Sequence, residues 1–348
     1  MSLFKSAPKS LCILRLSAIG DVCNSIAAVQ SIQQYWPQTK ITWITGKLES
    51  QLLQSIDNVE VIVFDKKAGI KGYIQLWKSL KGRKFDALLH MQYALRASVA
   101  TLGINAEYKL GFDAKRCQDF QNFFTNTKVE SPTTMHVLDG LMAFAHTLGV
   151  PKIHPTWALN CTEADKIWAQ EQLSNSNKNL VIVPAASKGY KNWTRQGYVD
   201  VIEHAHLSGW HVTLAGSPAK IEVELAQDIE KSLSSPCQNL VGKSNLLQML
   251  ALIDKATIVI APDTGPTHMA NAMRTPIIGL YAHHNPERTG PYNYQEYVVS
   301  AYQEAIKAEH DKSPEQLPWR TRVKDPLAMQ RISSKQVIEM FERVVKEL

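Results

Sequence analysis

The chain of 348 residues is 45% hydrophobic, 20% charged and 8% aromatic, which suits two globular domains better than one and excludes a globally disordered chain. No apolar run approaches the roughly 20 residues that cross a bilayer, and the run at 11–16 is too short, with Arg15 inside it, for a secretory signal, so a cytoplasmic protein is expected. The net charge of +6 is lopsided: residues 1–155 hold 18 Lys and Arg against 11 Asp and Glu, residues 156–348 hold 20 against 21, and a basic half of this kind suits either an anionic partner or a well-solvated surface.

Short apolar runs alternate with stretches of helical spacing. In the first half, 11–16, 41–45, 59–64 and 85–89 read as strands, and a helix from about 22 to 36 is stopped by Pro37. The pattern pauses at 152–155 between Pro151 and Pro155, a plausible linker. Thr162 then reads as a helix N-cap with Glu163 and Asp165 in the first turn. In the second half 180–183, 211–215, 257–261 and 276–280 read as strands, with helices near 194–208, 221–232, 246–254, 267–273 and 334–348. Strand–helix alternation implies parallel sheets covered on both faces. Two such runs predict two doubly wound α/β domains, 1–155 and 156–330, followed by a C-terminal helix at 331–348. Ligands of such sheets bind at the carboxyl ends of strands, so two facing domains would bind theirs in the cleft between them. No internal repeat stands out.

The chain has no GxxxxGK[ST] phosphate loop, no GxGxxG turn, no HExxH and no GxSxG. The five cysteines, Cys12, Cys23, Cys117, Cys161 and Cys237, are dispersed and read as reduced, mostly buried thiols, so no metal site is expected. Three strand-end loops carry chemistry instead. Arg15-Leu-Ser-Ala-Ile-Gly-Asp-Val22 opens a helix after a buried strand. Its Asp21 is either a capping carboxylate or a base able to take a proton from a hydroxyl. Ala261-Pro-Asp-Thr-Gly-Pro-Thr-His-Met-Ala270 places Gly265, the hydroxyls of Thr264 and Thr267, and free N–H groups at a helix start, where a diphosphate fits; a simply capped helix with a core His268 is the alternative. Pro184-Ala-Ala-Ser-Lys-Gly-Tyr-Lys-Asn-Trp193 offers Ser187 and Lys191 to a phosphate. Glu222, in the helix after the strand at 211–215, could accept ribose hydroxyls or merely face solvent. One carboxylate in the first half and phosphate-binding loops in the second suit transfer from a nucleotide diphosphate donor to a hydroxyl.

The pairing of Arg15-Leu-Ser-Ala-Ile-Gly-Asp21 with Asp263-Thr-Gly-Pro-Thr-His268 resembles the ADP-heptose:lipopolysaccharide heptosyltransferases of glycosyltransferase family 9. The segments Phe85-Asp-Ala-Leu-Leu-His-Met-Gln92, Leu110-Gly-Phe-Asp113, Lys191-Asn-Trp193 and Leu214-Ala-Gly-Ser217 follow in the same order, and Leu11–Val22 looks most like the heptosyltransferase I branch. The resemblance implies a GT-B fold and metal-independent, inverting transfer of L-glycero-D-manno-heptose from ADP-heptose to Kdo of lipid A, without a cofactor. It implies Asp21 as general base, Ser187 and Lys191 on the donor phosphates, Glu222 on the ribose, and Asp263 near the donor sugar and phosphates. Thr264 and Gly265 match the phosphate turn, which Thr267 and His268 complete. Two positions depart from the family pattern: Ala18-Ile19 stands where a serine or methionine precedes Gly-Asp, and Ala186 replaces one of two hydroxyl residues.

Kdo-lipid A is anionic and lies at the inner face of the inner membrane, which gives the basic first half a use; Arg96, Lys115 and Arg116 are the candidate acceptor contacts. The protein is then expected in the cytoplasm, peripheral to that membrane. Two other readings fit the residues: a GT-B transferase using another nucleotide sugar, and a noncatalytic binder of anionic surfaces. A nucleic-acid partner is not expected, because aromatic residues are not interleaved with the basic cluster.

Overall fold

The computed structural model describes residues 2–176 and 178–348. The chain divides into two compact units, Met1–Asn160 and Cys161–Leu348. The first unit runs to Asn160 because its last residues are tied back to it. Trp157 is buried and its indole N–H donates to Cys23 O at 2.8 Å; Ala158 exchanges hydrogen bonds with the Gln30 amide; the Asn160 N–H donates to Ser55 O.

In the first unit, strands β1 (Ser10–Leu14), β2 (Lys40–Thr45), β3 (Val59–Val63), β4 (Phe85–His90), β5 (Ala106–Gly111) and β6 (Thr127–Lys128) form one sheet in the order β3-β2-β1-β4-β5-β6. All pairs are parallel. Central β1 reads as an apolar run because helices cover both its faces, and Leu11–Leu14 have no exposed surface. The helix Ile19–Tyr35 starts straight after it and ends at Trp36, ahead of Pro37.

The second unit repeats the plan. Strands β7 (Asn179–Ile182), β8 (His211–Leu214), β9 (Gln238–Asn239), β10 (Ile258–Pro262), β11 (Ile277–Tyr281) and β12 (Val299–Ser300) lie in the order β12-β11-β10-β7-β8-β9, again all parallel. Counted from its own first strand, each sheet reads 3-2-1-4-5-6, the doubly wound dinucleotide-fold order, in which strand order reverses between strands 1 and 4. Thr162 caps its helix as expected, accepting from Asp165 N–H at 3.2 Å. The final helix Ser334–Glu347 packs on Arg195–Leu207: Phe341 meets Trp210 edge-on at 5.1 Å and His204 bonds Glu342 at 2.6 Å.

Strands β5, β6, β9 and β12 were not among the expected elements. β5 alternates exposed Glu107 with half-buried neighbours and reads as polar, while the two-residue edge strands carry no period to detect.

Candidate active site

In both units loops carrying chemistry leave the two strands that flank the reversal of strand order, and in the second unit β8 and β11 add Glu222 and His284. At the reversal, neighbouring parallel strands send their connections to opposite faces and leave room for a ligand.

In the first unit these strands are β1 and β4, paired Leu14 to His90. Arg15 follows β1 with its side chain 3% exposed. One guanidinium nitrogen donates to Met91 O after β4, and the other meets Asp21 Oδ2 at 2.5 Å. Asp21 lies in the first turn of the helix Ile19–Tyr35, where the macrodipole favours a carboxylate. The same Oδ2 accepts from the Ala18 N–H at 3.2 Å. Ala18 has no side-chain oxygen to return, so only half of a capping box is made. The capping reading of Asp21 holds, since Oδ2 binds the helix start, and the side chain remains 45% exposed. Two amides brace the loop. Gln92 Oε1 accepts from the N–H groups of Leu16 and Ser17, and Gln121 Nε2 donates to His90 O and Gln92 O. His90 is fully buried with Nε2 bonded to Ser98 Oγ at 2.9 Å. Burial and the nearby Arg15 charge push its pKa down to about 3, so it stays neutral.

In the second unit the corresponding strands are β7 and β10, paired Ile182 to Ile260. The loop after β7 brings Lys191 Nζ to Asp263 Oδ2 at 2.7 Å and to Asp263 O at 3.2 Å. After β11, His284 Nδ1 meets the same Oδ2 at 2.5 Å. The three side chains are each less than one-fifth exposed. Burial alone would raise the pKa of Asp263, but the His284 hydrogen bond and the Lys191 charge outweigh it and hold the carboxyl well below the usual range. Burial lowers that of His284 against the pull of Asp263, with Lys191 and Arg288 adding to the effect. His284 therefore acts as a neutral imidazole donating Nδ1–H to an ionised carboxylate. Lys191 has three N–H donors, and Asp263 takes two of them. The third, and the open start of the helix Gly265–Met273, remain for an anion: Thr264 is the N-cap residue but its hydroxyl makes no capping bond.

The other expected residues fall as follows. Ser187 is exposed on the Lys191 loop, Gly265 opens the helix and His268 is buried inside it. Thr267 does not present its hydroxyl to an anion as expected; it is fully buried and donates to Pro262 O at 2.6 Å, bracing the turn. Glu222 does not face solvent. It is 7% exposed, and both its oxygens accept from Ser217, at 2.8 Å from the N–H and 2.6 Å from the hydroxyl. Arg96 and Lys115 are exposed. Arg116, expected to be a surface cation, is 2% exposed, pairs with buried Asp113 at 3.0 Å and donates to Thr134 O at 2.7 Å, so its charge is already neutralised internally. Sequence reasoning missed His284 and assigned no role to Arg15. The signal for His284 was available: His283-His284 directly follows the apolar run of β11, a strand end like the other three.

The sequence profile of glycosyltransferase family 9 (heptosyltransferase) matches residues 73–318. The lipopolysaccharide core heptosyltransferase OpsX of Haemophilus influenzae is 48% identical over 99% of both chains. The chain belongs to glycosyltransferase family 9. Within this heptosyltransferase family, lipopolysaccharide heptosyltransferase 1 of Escherichia coli is 22% identical, over 84% of this chain and 94% of its own. The first-branch resemblance seen at residues 11–22 therefore does not extend along the whole sequence. The solved E. coli heptosyltransferase WaaC with ADP superposes with a TM-score of 0.75 at 18% identity, covering 96% of this chain and 99% of that one. The two six-stranded parallel sheets are those of the GT-B fold.

Proposed function

We propose that this family 9 enzyme transfers a heptose from ADP-heptose to the inner core of lipopolysaccharide, at Kdo on lipid A, with inversion at the anomeric carbon. The near-full-length 48% identity with OpsX supports this reading more than any other observation. It favours an OpsX-like enzyme over one of the heptosyltransferase 1 branch. The first unit binds the acceptor and the second the nucleotide sugar. Asp21 accepts the proton of the attacking hydroxyl as the bond to the anomeric carbon forms and the bond to the diphosphate oxygen breaks, a contribution of about 10²–10⁴-fold in rate. Arg15 fixes the carboxylate through Oδ2. The charge that develops on departing ADP is met by the remaining Lys191 N–H and the amides at the start of Gly265–Met273, donors already oriented before reaction. Asp263 and His284 hold Lys191 in place for that task.

The decisive experiment incubates the protein with ADP-heptose and Kdo-lipid A and reads the product by mass spectrometry. One added heptose is expected. No increment with this donor, or an increment from a UDP- or GDP-sugar instead, would overturn the reading.

A further inference from the structure

The loops at the carboxyl edge of the first sheet combine features that an ordinary solvated surface keeps apart. Ile70, Leu95, Phe120 and Phe123 are 78%, 47%, 66% and 77% exposed. They follow β3, β4 and β5, whose ends lie at the same carboxyl edge of an all-parallel sheet; β4 and β5 are neighbours, while β3 is the outer strand beyond β2 and β1. Two contacts tie the loops together. Tyr73 OH, one turn beyond Ile70, donates to Arg96 O at 3.0 Å, and the buried Gln121 amide bonds His90 O, Gln92 O and the Phe112 N–H. Gln121 thus anchors the segment between the two phenylalanines while both rings point outward, 6.2 Å apart. The backbone holds Phe120 at φ +60°, the left-handed region that a bulky side chain avoids. Large apolar side chains grouped in this way mark an interaction surface.

Charge says what the surface meets. The loops after β2 to β5 expose Lys47, Lys66, Lys67, Lys71, Arg96 and Lys115, against the exposed carboxylates Asp57, Asp65 and Asp119. Aromatic and aliphatic side chains interleaved with cations, on one rim, match the boundary between anionic headgroups and acyl chains. We propose that this edge is an interfacial binding face for an anionic phospholipid bilayer, with Phe120 and Phe123 entering the headgroup boundary and Lys66, Lys67 and Lys71 meeting lipid phosphates. The face borders the Asp21 loop, since Gln92 bonds both the Leu16–Ser17 backbone and, through its carbonyl, Gln121. Docking there would bring the headgroup layer to the proposed base, so the inference deepens the reading of a lipid-borne acceptor and rests on it.

The test is co-sedimentation of the full chain with vesicles of phosphatidylglycerol and phosphatidylethanolamine, without donor or acceptor. Binding is expected, weakened by 0.5 M salt and by replacing the lipids with phosphatidylcholine, since each cation near an anionic surface changes partition roughly five-fold. The double variant Phe120→Ser, Phe123→Ser should lower partition about ten-fold or more while leaving transfer to a water-soluble, deacylated acceptor within about two-fold of the parent. Lys66→Glu with Lys67→Glu should weaken binding and lessen its salt dependence. Parent protein that stays in the supernatant, or phenylalanine variants that bind as the parent does, would overturn the proposal. So would a dimer, seen by sedimentation, that the phenylalanine variant dissolves in the absence of any vesicle binding. Vesicle binding without heptose transfer would instead defeat the functional reading and leave the surface standing.

Discussion

At the strand-order reversal of the first sheet a carboxylate is left half open, whereas at the same place in the second sheet a carboxylate is closed in. Asp21 uses one oxygen for a buried guanidinium and a backbone N–H and stays 45% exposed. Asp263 is 15% exposed, and one of its oxygens receives both a lysine ammonium and an imidazole N–H. The two sheets share one topology, so topology does not decide this difference. It follows from where the cation comes from. Arg15 sits on the same loop as Asp21 and fixes it from below; Lys191 and His284 arrive from the loops of two other strands and enclose Asp263. An open, oriented carboxylate suits proton transfer. An enclosed one serves to aim the cation it holds.

The sharpest way to break this contrast is to remove charge from Asp21 while keeping its shape. Asp21→Asn can still accept from Ala18 N–H through its amide oxygen, so the helix start should survive. Turnover should fall by about 10²–10⁴-fold, while ADP affinity measured by calorimetry stays within two-fold. Near-normal turnover would remove Asp21 from the base role, and lost ADP binding would place it among the donor contacts.

The second test removes the cation that Asp263 aims. Lys191→Ala should raise the KM for the sugar nucleotide by roughly 10–100-fold, the range for loss of a charge-assisted hydrogen bond, with the acceptor KM little changed. The reverse pattern would contradict the assignment of donor to the second unit. His284→Gln sharpens the point, because a side-chain amide can still donate to Asp263. It should retain most donor affinity, whereas His284→Ala should lose part of it; equal losses would show that the hydrogen bond to Asp263 is not what His284 supplies.

Much of this was legible in the sequence where the signal was local. Apolar runs bounded by glycine and proline marked eight of the strands to within a residue or two, and Asp21, Lys191 and Asp263 stood out because each follows such a run. Residues whose role depends on partners distant in sequence could not be read this way. Arg116 looks like half of an exposed basic pair beside Lys115, yet Asp113 and the Thr134 carbonyl draw it inside. Glu222 looks like a lone surface carboxylate, yet it closes the Ser217 loop. Thr267 looks like a phosphate ligand, yet its hydroxyl turns inward to Pro262. The common strand order of the two halves left no repeat in the sequence, because a parallel sheet asks only for apolar runs at intervals and not for particular residues.

The smallest expected effect concerns what keeps the Asp21 loop rigid. His90 ends β4 in the interior beside Arg15, and burial pushes its pKa down to about 3. The unfolded chain binds a proton at this histidine below about pH 6.5, whereas the folded chain does not until pH approaches 3. Between those limits the unfolded state holds more protons, so stability must fall as pH falls, by about 1.4 kcal/mol per pH unit from this group. From pH 7 to pH 5 that amounts to about 2 kcal/mol. Burial also lowers the pKa of His146, His206 and His284, which contribute slopes of the same sign, so the informative quantity is a difference between two proteins. His90→Gln keeps a side chain able to bond Ser98 and cannot titrate. Its denaturation free energy, followed from pH 7 to pH 5, should decline less steeply than that of the parent by the amount above. Parallel slopes would mean that His90 takes up its proton in the folded protein, and that the charge of Arg15 is screened from it by something other than the packing around β1 and β4.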